Sequence, residues 1–142
     1  MRPCLAFLMV MLLLVLAGCD VSQEEMGRRT RARAVRLCNA IQRYHDRQLR
    51  YPKTLEDLKP YFKSDEEFKI AMSHPRTGAM PAWEFVRPGE SIFDVEKPKA
   101  TPMLYEIIGG KRVAGGYIGY VDTHVEPELT PALTEEELAL PE

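Results

Sequence analysis

The sequence predicts an α+β domain: a long N-terminal helix packed on a small antiparallel sheet, with short helices between them. Three observations predict it. Ala34, Cys38, Ile41, His45 and Leu49 recur at spacings of three and four, with Leu37 and Tyr44 beside them, and so mark one apolar stripe along a helix. Past Pro81 the apolar period falls to two, the period of a strand with one buried face. Between the two regions, capping and breaking residues follow one another at short intervals. One long helix, then short helices, then an antiparallel meander is the order in which a sheet covers a helix stripe.

The elements follow from their own residues. Ser22-Gln23-Glu24-Glu25 has capping-box spacing, a serine hydroxyl three residues before a glutamate. A helix is therefore expected over 22–50. Gly27 weakens its first turns by about 1 kcal/mol relative to alanine. Tyr51 precedes Pro52, is pushed off helical geometry and stops the helix. Thr54-Leu55-Glu56-Asp57 opens a second, short helix that ends before Pro60, and Ser64-Asp65-Glu66-Glu67 opens a third through Met72. After a turn-rich stretch at 73–78, strands are expected over 82–87, 91–95 (a short edge strand), 103–108 and 117–121. Residues 123–126 return as a hairpin around Asp122. Gly115-Gly116 reads as a bend or bulge. Trp83, Phe85, Tyr117 and Tyr120 are assigned to core and cross-strand packing. Thr134-Glu135-Glu136-Glu137 caps a last short helix or begins an acidic tail.

The first residues carry a different message. Arg2 is followed by an apolar run over 5–16 and then by Leu16-Ala17-Gly18-Cys19. The run is short of the roughly 20 residues that span a bilayer. The arrangement resembles a bacterial lipoprotein signal peptide with its lipobox. That resemblance implies that residues 1–18 are removed and that Cys19 carries the acyl chains. Residues 19–21 then form a lipid-anchored tether, 22–128 the α+β domain, and 129–142 an acidic C-terminal tail or short helix. The chain is expected in the cell envelope, anchored to a bacterial membrane with its domain facing the periplasm or the exterior. Several acyl chains hold such a protein firmly, where one would not. Asp20 is the residue that favours inner-membrane retention in enterobacteria.

Charge and cysteine content narrow the partners. The chain has 19 basic and 21 acidic residues, and no overall charge that argues for nucleic acid. The positive charge is clustered: Arg28, Arg29, Arg31, Arg33, Arg36, Arg43, Arg47 and Arg50 share residues 28–50 with a single acid, Asp46. Three readings of this basic helix compete: contact with anionic lipid headgroups just outside Cys19, a docking surface for an acidic envelope protein, or a solvated face balanced by the chain's own acids. Of three cysteines, Cys4 leaves with the signal and Cys19 is acylated, so Cys38 stands alone. It reads as a small apolar residue on a helix face, with pairing between molecules as the alternative.

Two passages resemble a known family. Residues 40–44 and then Arg50-Tyr51-Pro52-Lys53-Thr54-Leu55-Glu56-Asp57-Leu58 look like the passage of type II secretion major pseudopilins in which the helix ends at Y-P-x-T-L-x-x-L. Gly119-Tyr120-Val121-Asp122-Thr123-His124-Val125-Glu126 resembles the V-x-F-A-D-G-H-V-E segment of prepilin-like proteins with a processing-associated H-x9-D-G domain. Arg112 stands where that motif has its histidine, and Thr123 where it has glycine. Threonine is poor at positive φ, so a different turn type is expected. Prepilins keep their apolar helix to build a filament, whereas the lipobox predicts that it is discarded here. The resemblance therefore implies a pseudopilin-like head on a lipid anchor. Asp122, Glu126 and Glu128 are too few and too spread for the calcium loop of some major pseudopilins.

No catalytic constellation and no cofactor motif emerges. His45, His74 and His124 do not pair at metal-ligand spacing, and no metal site is expected. The histidines are assigned to turns and to the surface. Ser73-His74 lacks the G-x-S-x-G elbow of a serine nucleophile. The expected role is a non-catalytic interaction or scaffold protein of the envelope, linked to a secretion or pilus-like assembly. The alternatives are a true pseudopilin subunit and a small-ligand or metal-binding module.

Overall fold

The computed structural model describes residues 3–128, with the backbone alone described for residues 3–22 and for Ile92. The α+β layout is present. Helix α1 spans Pro3–Gln48, a 3-10 helix spans Leu55–Tyr61, and α2 spans Asp65–Met72. Five strands follow: β1 (Trp83–Phe85), β2 (Pro102–Ile108), β3 (Lys111–Arg112), β4 (Tyr117–Tyr120) and β5 (Val125–Pro127). They form one antiparallel sheet in the order β1-β2-β4-β5, with β3 paired to the end of β2. The lipobox lies outside the described side chains. Among the side chains that are described, no helix is long and apolar enough to cross a membrane.

The stripe read from the sequence is the core face of α1. Ala34, Leu37, Cys38, Ala40 and Ile41 are fully buried. Register aligns Phe85, Leu104, Gly119 and Val125 across the sheet opposite that stripe. Gly119 sets the distance between the layers, since a Cβ there would lie 2.6 Å from Cys38 Sγ. The trade is one of shape: a strand gives up a side chain so that the helix sits close.

Helix α1 begins upstream of Ser22, so the spacing over 22–25 is not a helix start. Apolar helix formers precede it, and extending a helix costs less than nucleating a new one. Glu25 instead bridges Arg28 at 3.0 Å and Arg29 at 2.8 Å. The helix also ends earlier than expected. Leu49 takes φ 57° while its N–H donates to the His45 carbonyl at 2.7 Å, a left-handed cap. That turn swings Leu49 out of the stripe and leaves it 65% exposed. Tyr51 then plunges into the core, fully buried. Its N–H donates to Glu90 O at 2.7 Å, and Gly89 N–H donates to Pro52 O at 3.1 Å, pinning the Tyr-Pro break to the loop after β1.

The short pieces partly follow the sequence. At α2, Ser64 Oγ accepts the Glu67 N–H at 3.1 Å, as the capping spacing predicted, while the Glu67 carboxylate accepts the Lys63 N–H at 3.0 Å, one residue before the cap. The 54–61 piece is 3-10 rather than α and includes Pro60; the Asp57 carboxylate accepts the N–H groups of Lys53 and Thr54 at its start. Residues 91–95 do not form an edge strand. Ser91 Oγ accepts the Phe93 N–H and Ser91 O the Asp94 N–H, which curls Ile92–Asp94 into a 3-10 turn. An unexpected strand, β3, follows a two-residue turn at Gly109 (φ 59°) and Gly110 (φ 78°), the conformation of a type I′ hairpin.

Candidate functional site

The arginines of α1 divide into anchors and outward-facing charges. Arg33 Nη1 donates to the Ser73 carbonyl at 2.6 Å and to Ser73 Oγ at 3.0 Å, tying α1 to the end of α2. Its guanidinium is lowered from the usual arginine range by burial first and by Arg29 and Arg36 second. Arg31 Nε donates to the Val125 carbonyl of β5 at 3.2 Å. The others face outward. At 100° per residue, Arg28, Arg29, Arg36, Arg43 and Arg47 share one arc opposite the buried stripe, and all five are exposed. Arg28 and Arg29 share Glu25, Arg36 stands 3.9 Å from Glu67, and Arg47 lies over the Tyr61 ring at 5.5 Å. Arg43 Nε reaches the Asn39 carbonyl of its own helix at 3.4 Å. Arg50 is exposed past the end of the helix. The spacing in the sequence thus yields one basic face, with Arg31 and Arg33 subtracted from it.

A second site lies between the start of the described helix and the sheet. His74 and Glu106, 5% and 8% exposed, meet there with Nε2 2.9 Å from Oε1. Glu106 Oε2 accepts the Tyr117 N–H at 2.9 Å. His74 Nδ1 faces the N–H groups of Arg76 and Thr77 at 3.3 and 3.4 Å, which assigns the ring proton to Nε2 and its donation to Glu106. Both ring nitrogens are engaged by the wall, so this imidazole offers no lone pair to a substrate. The pair locks the 73–78 loop onto β2. It borders a cavity of about 200 Å3 whose walls include Gln23, Thr30, Arg76 and Tyr117. Gly27, costly within a helix, admits the Tyr117 hydroxyl to 3.1 Å from where its Cβ would be. His45 is also buried, at 4%, against Tyr51 with ring centroids 5.2 Å apart. Two of three histidines are therefore interior: His45 as its place in the apolar stripe predicted, and His74 against the expectation of a turn or surface histidine.

The β4–β5 hairpin makes a third cluster. Thr123 takes φ 73°, so the turn keeps the conformation that glycine prefers instead of changing type as expected. Local bonds hold it there: Thr123 N–H to Tyr120 O at 2.9 Å and Tyr120 N–H to His124 O at 3.0 Å. The His124 ring stacks on Tyr120 at 4.3 Å and bonds the Asp122 carboxylate through Nδ1. Burial raises the Asp122 carboxyl, but the hydrogen bonds and charge of His124 outweigh it, and the group titrates below the ordinary aspartate range. Tyr120 thus packs on the outer face of the sheet, whereas Trp83 is core, its Nε1 donating to Ala71 O at 3.0 Å. Arg112 belongs to the outer face as well. Its Nε bonds Glu84 Oε2 at 2.6 Å and its guanidinium covers the Tyr105 ring at 3.7 Å.

An open apolar groove of about 380 Å3 lies beside β1, lined by Leu55, Met72, Met80, Pro81, Trp83 and Phe85. Among the described residues, no three metal-ligating side chains come together in a geometry that could hold an ion. Cys38 is fully buried, and burial above all pushes its thiol up to about 12. This closes the route to a disulfide between folded molecules. Compared with known proteins, the chain matches no family model, no curated protein and no solved structure.

Proposed function

We propose that this chain is a membrane-anchored envelope lipoprotein whose pseudopilin-like head is a non-catalytic docking or scaffold domain, linked to a secretion or pilus-like assembly. The observation that carries the proposal is the outward arc of Arg28, Arg29, Arg36, Arg43 and Arg47, left open by a fold that packs its sheet on the opposite side of α1. The lipobox supplies the anchor, and the Tyr-Pro break buried beneath the loop after β1 supports the pseudopilin likeness. Distance favours a protein partner over headgroups for most of the face. At 1.5 Å per residue, Arg28 lies about 14 Å along the helix from Cys19 and Arg47 about 42 Å, while charge is screened within about 8 Å at physiological salt. With α1 upright, headgroup attraction fades before Arg36.

Metabolic labelling with a palmitate analogue, beside Cys19→Ala, tests the anchor: label on the native chain and none on the variant is expected. Pull-down from envelope extracts with Arg36→Glu/Arg43→Glu/Arg47→Glu tests the face. Native and variant recovering the same proteins would sink the docking reading. A second reading, a true pseudopilin subunit, is favoured by the unbroken course of α1 from Pro3 to Gln48, a stem continuous with the head helix. Mass spectrometry of the mature N-terminus separates the two, since an acylated Cys19 excludes a retained apolar stem.

A further inference from the structure

We propose that the arginine face of α1 has one anchor point, a pocket that takes a single glutamate carboxylate of the acidic protein partner. The inference rests on the docking reading of that face and deepens it. The pocket measures about 140 Å3 and lies between α1 and the segment that joins the 3-10 helix to α2. Arg36, Asn39 and Arg43 line it from α1, at spacings of three and four that place them on one ridge. Tyr61, Phe62 and Lys63 line it from the joining segment, with Glu67 of α2 beside them. The charge balance is positive, three cationic side chains against one carboxylate. That carboxylate is already engaged: Glu67 Oε2 accepts the Lys63 N–H at 3.0 Å, and Oε1 stands 3.9 Å from Arg36 Nη1. The ion pair offsets part of the Arg36 charge. Among the described residues, no ion pair engages Arg43 or the Lys63 ammonium.

Packing keeps the pocket in place. The Tyr61 ring lies 5.7 Å from that of Tyr44, and the Phe62 ring 5.4 Å from that of Phe68, which is buried in the core. Walls fixed in this way lose little freedom when a ligand binds. Arg43 Nε reaches the Asn39 carbonyl at 3.4 Å, which leaves its two Nη groups for a carboxylate. The mixed lining selects the ligand. A glutamate lays its two methylenes against Tyr61 and Phe62 while its carboxylate meets Arg43 and Lys63. A phosphate ion has no such stem. Lipid headgroups are too far away, since Arg36 and Arg43 lie about 26 and 36 Å along α1 from Cys19.

The test uses the full chain and fluorescein-labelled deca-L-glutamate, with binding read by anisotropy at physiological salt. Charges more than about 8 Å apart are screened there, so the cations that touch the probe dominate. Arg43→Gln and Lys63→Gln are each expected to weaken binding about fivefold. Glu67→Gln keeps an acceptor for the Lys63 N–H, removes the competing charge, and is expected to strengthen binding about twofold. Lys111→Gln, on β3, removes the same charge as Lys63→Gln and is expected to change affinity by less than about twofold. Losses at Arg43 and Lys63 no larger than that of Lys111→Gln overturn the inference, while a loss confined to Arg28→Gln or Arg47→Gln keeps the docking reading. Binding that ignores every arginine overturns both. A second arm uses vesicles of phosphatidylglycerol and phosphatidylcholine. If Lys63→Gln weakens vesicle binding as much as peptide binding, the pocket takes lipid phosphate and the inference is overturned.

Discussion

Thr123 and Leu49 sit at φ 73° and φ 57°, where a side chain with a Cβ is held at a cost of roughly 1 kcal/mol or more. Neither is needed for packing: Leu49 is 65% exposed, and Thr123 is half-buried in a hairpin turn. Thr123→Gly and Leu49→Gly are therefore each expected to raise stability by about 1 kcal/mol, read as a higher urea midpoint at unchanged m-value. The Cys38 thiol behaves oppositely, being placed where it cannot ionise. Its folded pKa is about 12 against an ordinary 9.0, and that of Tyr51 about 12 against 10.0, both chiefly through burial. An unfolded chain releases these protons at lower pH than the native one. Stability thus falls as pH rises above 9.0, by about 1.4 kcal/mol per unit for the thiol, and more steeply above 10.0 when Tyr51 joins. Urea titrations across this range check the slope, and Cys38→Ser removes its first part.

Two contacts between elements invite direct tests. Gly119→Ala places a methyl 2.6 Å from Cys38 Sγ, so α1 and β4 must separate. A loss of about 2 kcal/mol is expected, and Cys38→Ala in the same chain should restore much of it, which thermal unfolding of the double variant would show. Glu106→Ala leaves His74 buried without its acceptor and Tyr117 N–H without a partner. It is expected to cost about 3 kcal/mol and to raise hydrogen exchange over residues 73–78, while exchange in α2 stays slow. These contacts also mark what the sequence reveals and what it conceals. The stripe of Ala34, Cys38 and Ile41 is local and periodic, and so is legible. The His74–Glu106 pair joins residues 32 apart, and no local rule links them. One signal for it existed: Glu106 shares the inward parity of Leu104, a charge in register with core positions. The curl at 92–94 was hidden because Ser91 gives the backbone an alternative to a ladder, and β3 because two exposed basic residues, Lys111 and Arg112, carry no apolar alternation.

For the whole molecule, the arrangement is polar along α1. The cavity at Gln23, Gly27 and Tyr117 lies at the end nearer Cys19, and the Tyr51-Pro52 break at the far end. If the lipid anchor holds that near end at the bilayer, binding to anionic vesicles should depend unequally on the arginines. Arg28→Glu/Arg29→Glu is expected to weaken it several-fold, and Arg43→Glu/Arg47→Glu to leave it within twofold, given a screening length of about 8 Å. Sedimentation with vesicles of mixed anionic and zwitterionic lipid measures both. Equal losses would mean that α1 lies along the membrane. The basic face as a set was legible in the sequence. That Arg31 and Arg33 leave it for Val125 and Ser73 was not, because those partners lie 94 and 40 residues away.

The fit of Cys38 beneath Gly119 also sets an order of events. In an oxidising compartment the Cys38 thiol is open to coupling with another until it is covered, and here coverage requires β4, more than 75 residues later in the chain, to close over α1. Safety from oxidation is thus a race between chain closure and thiol chemistry. Under oxidising conditions, a variant that delays docking of β4 on α1 is expected to yield disulfide-linked dimers in proportion to the delay, even when its folded state is as stable as the native one.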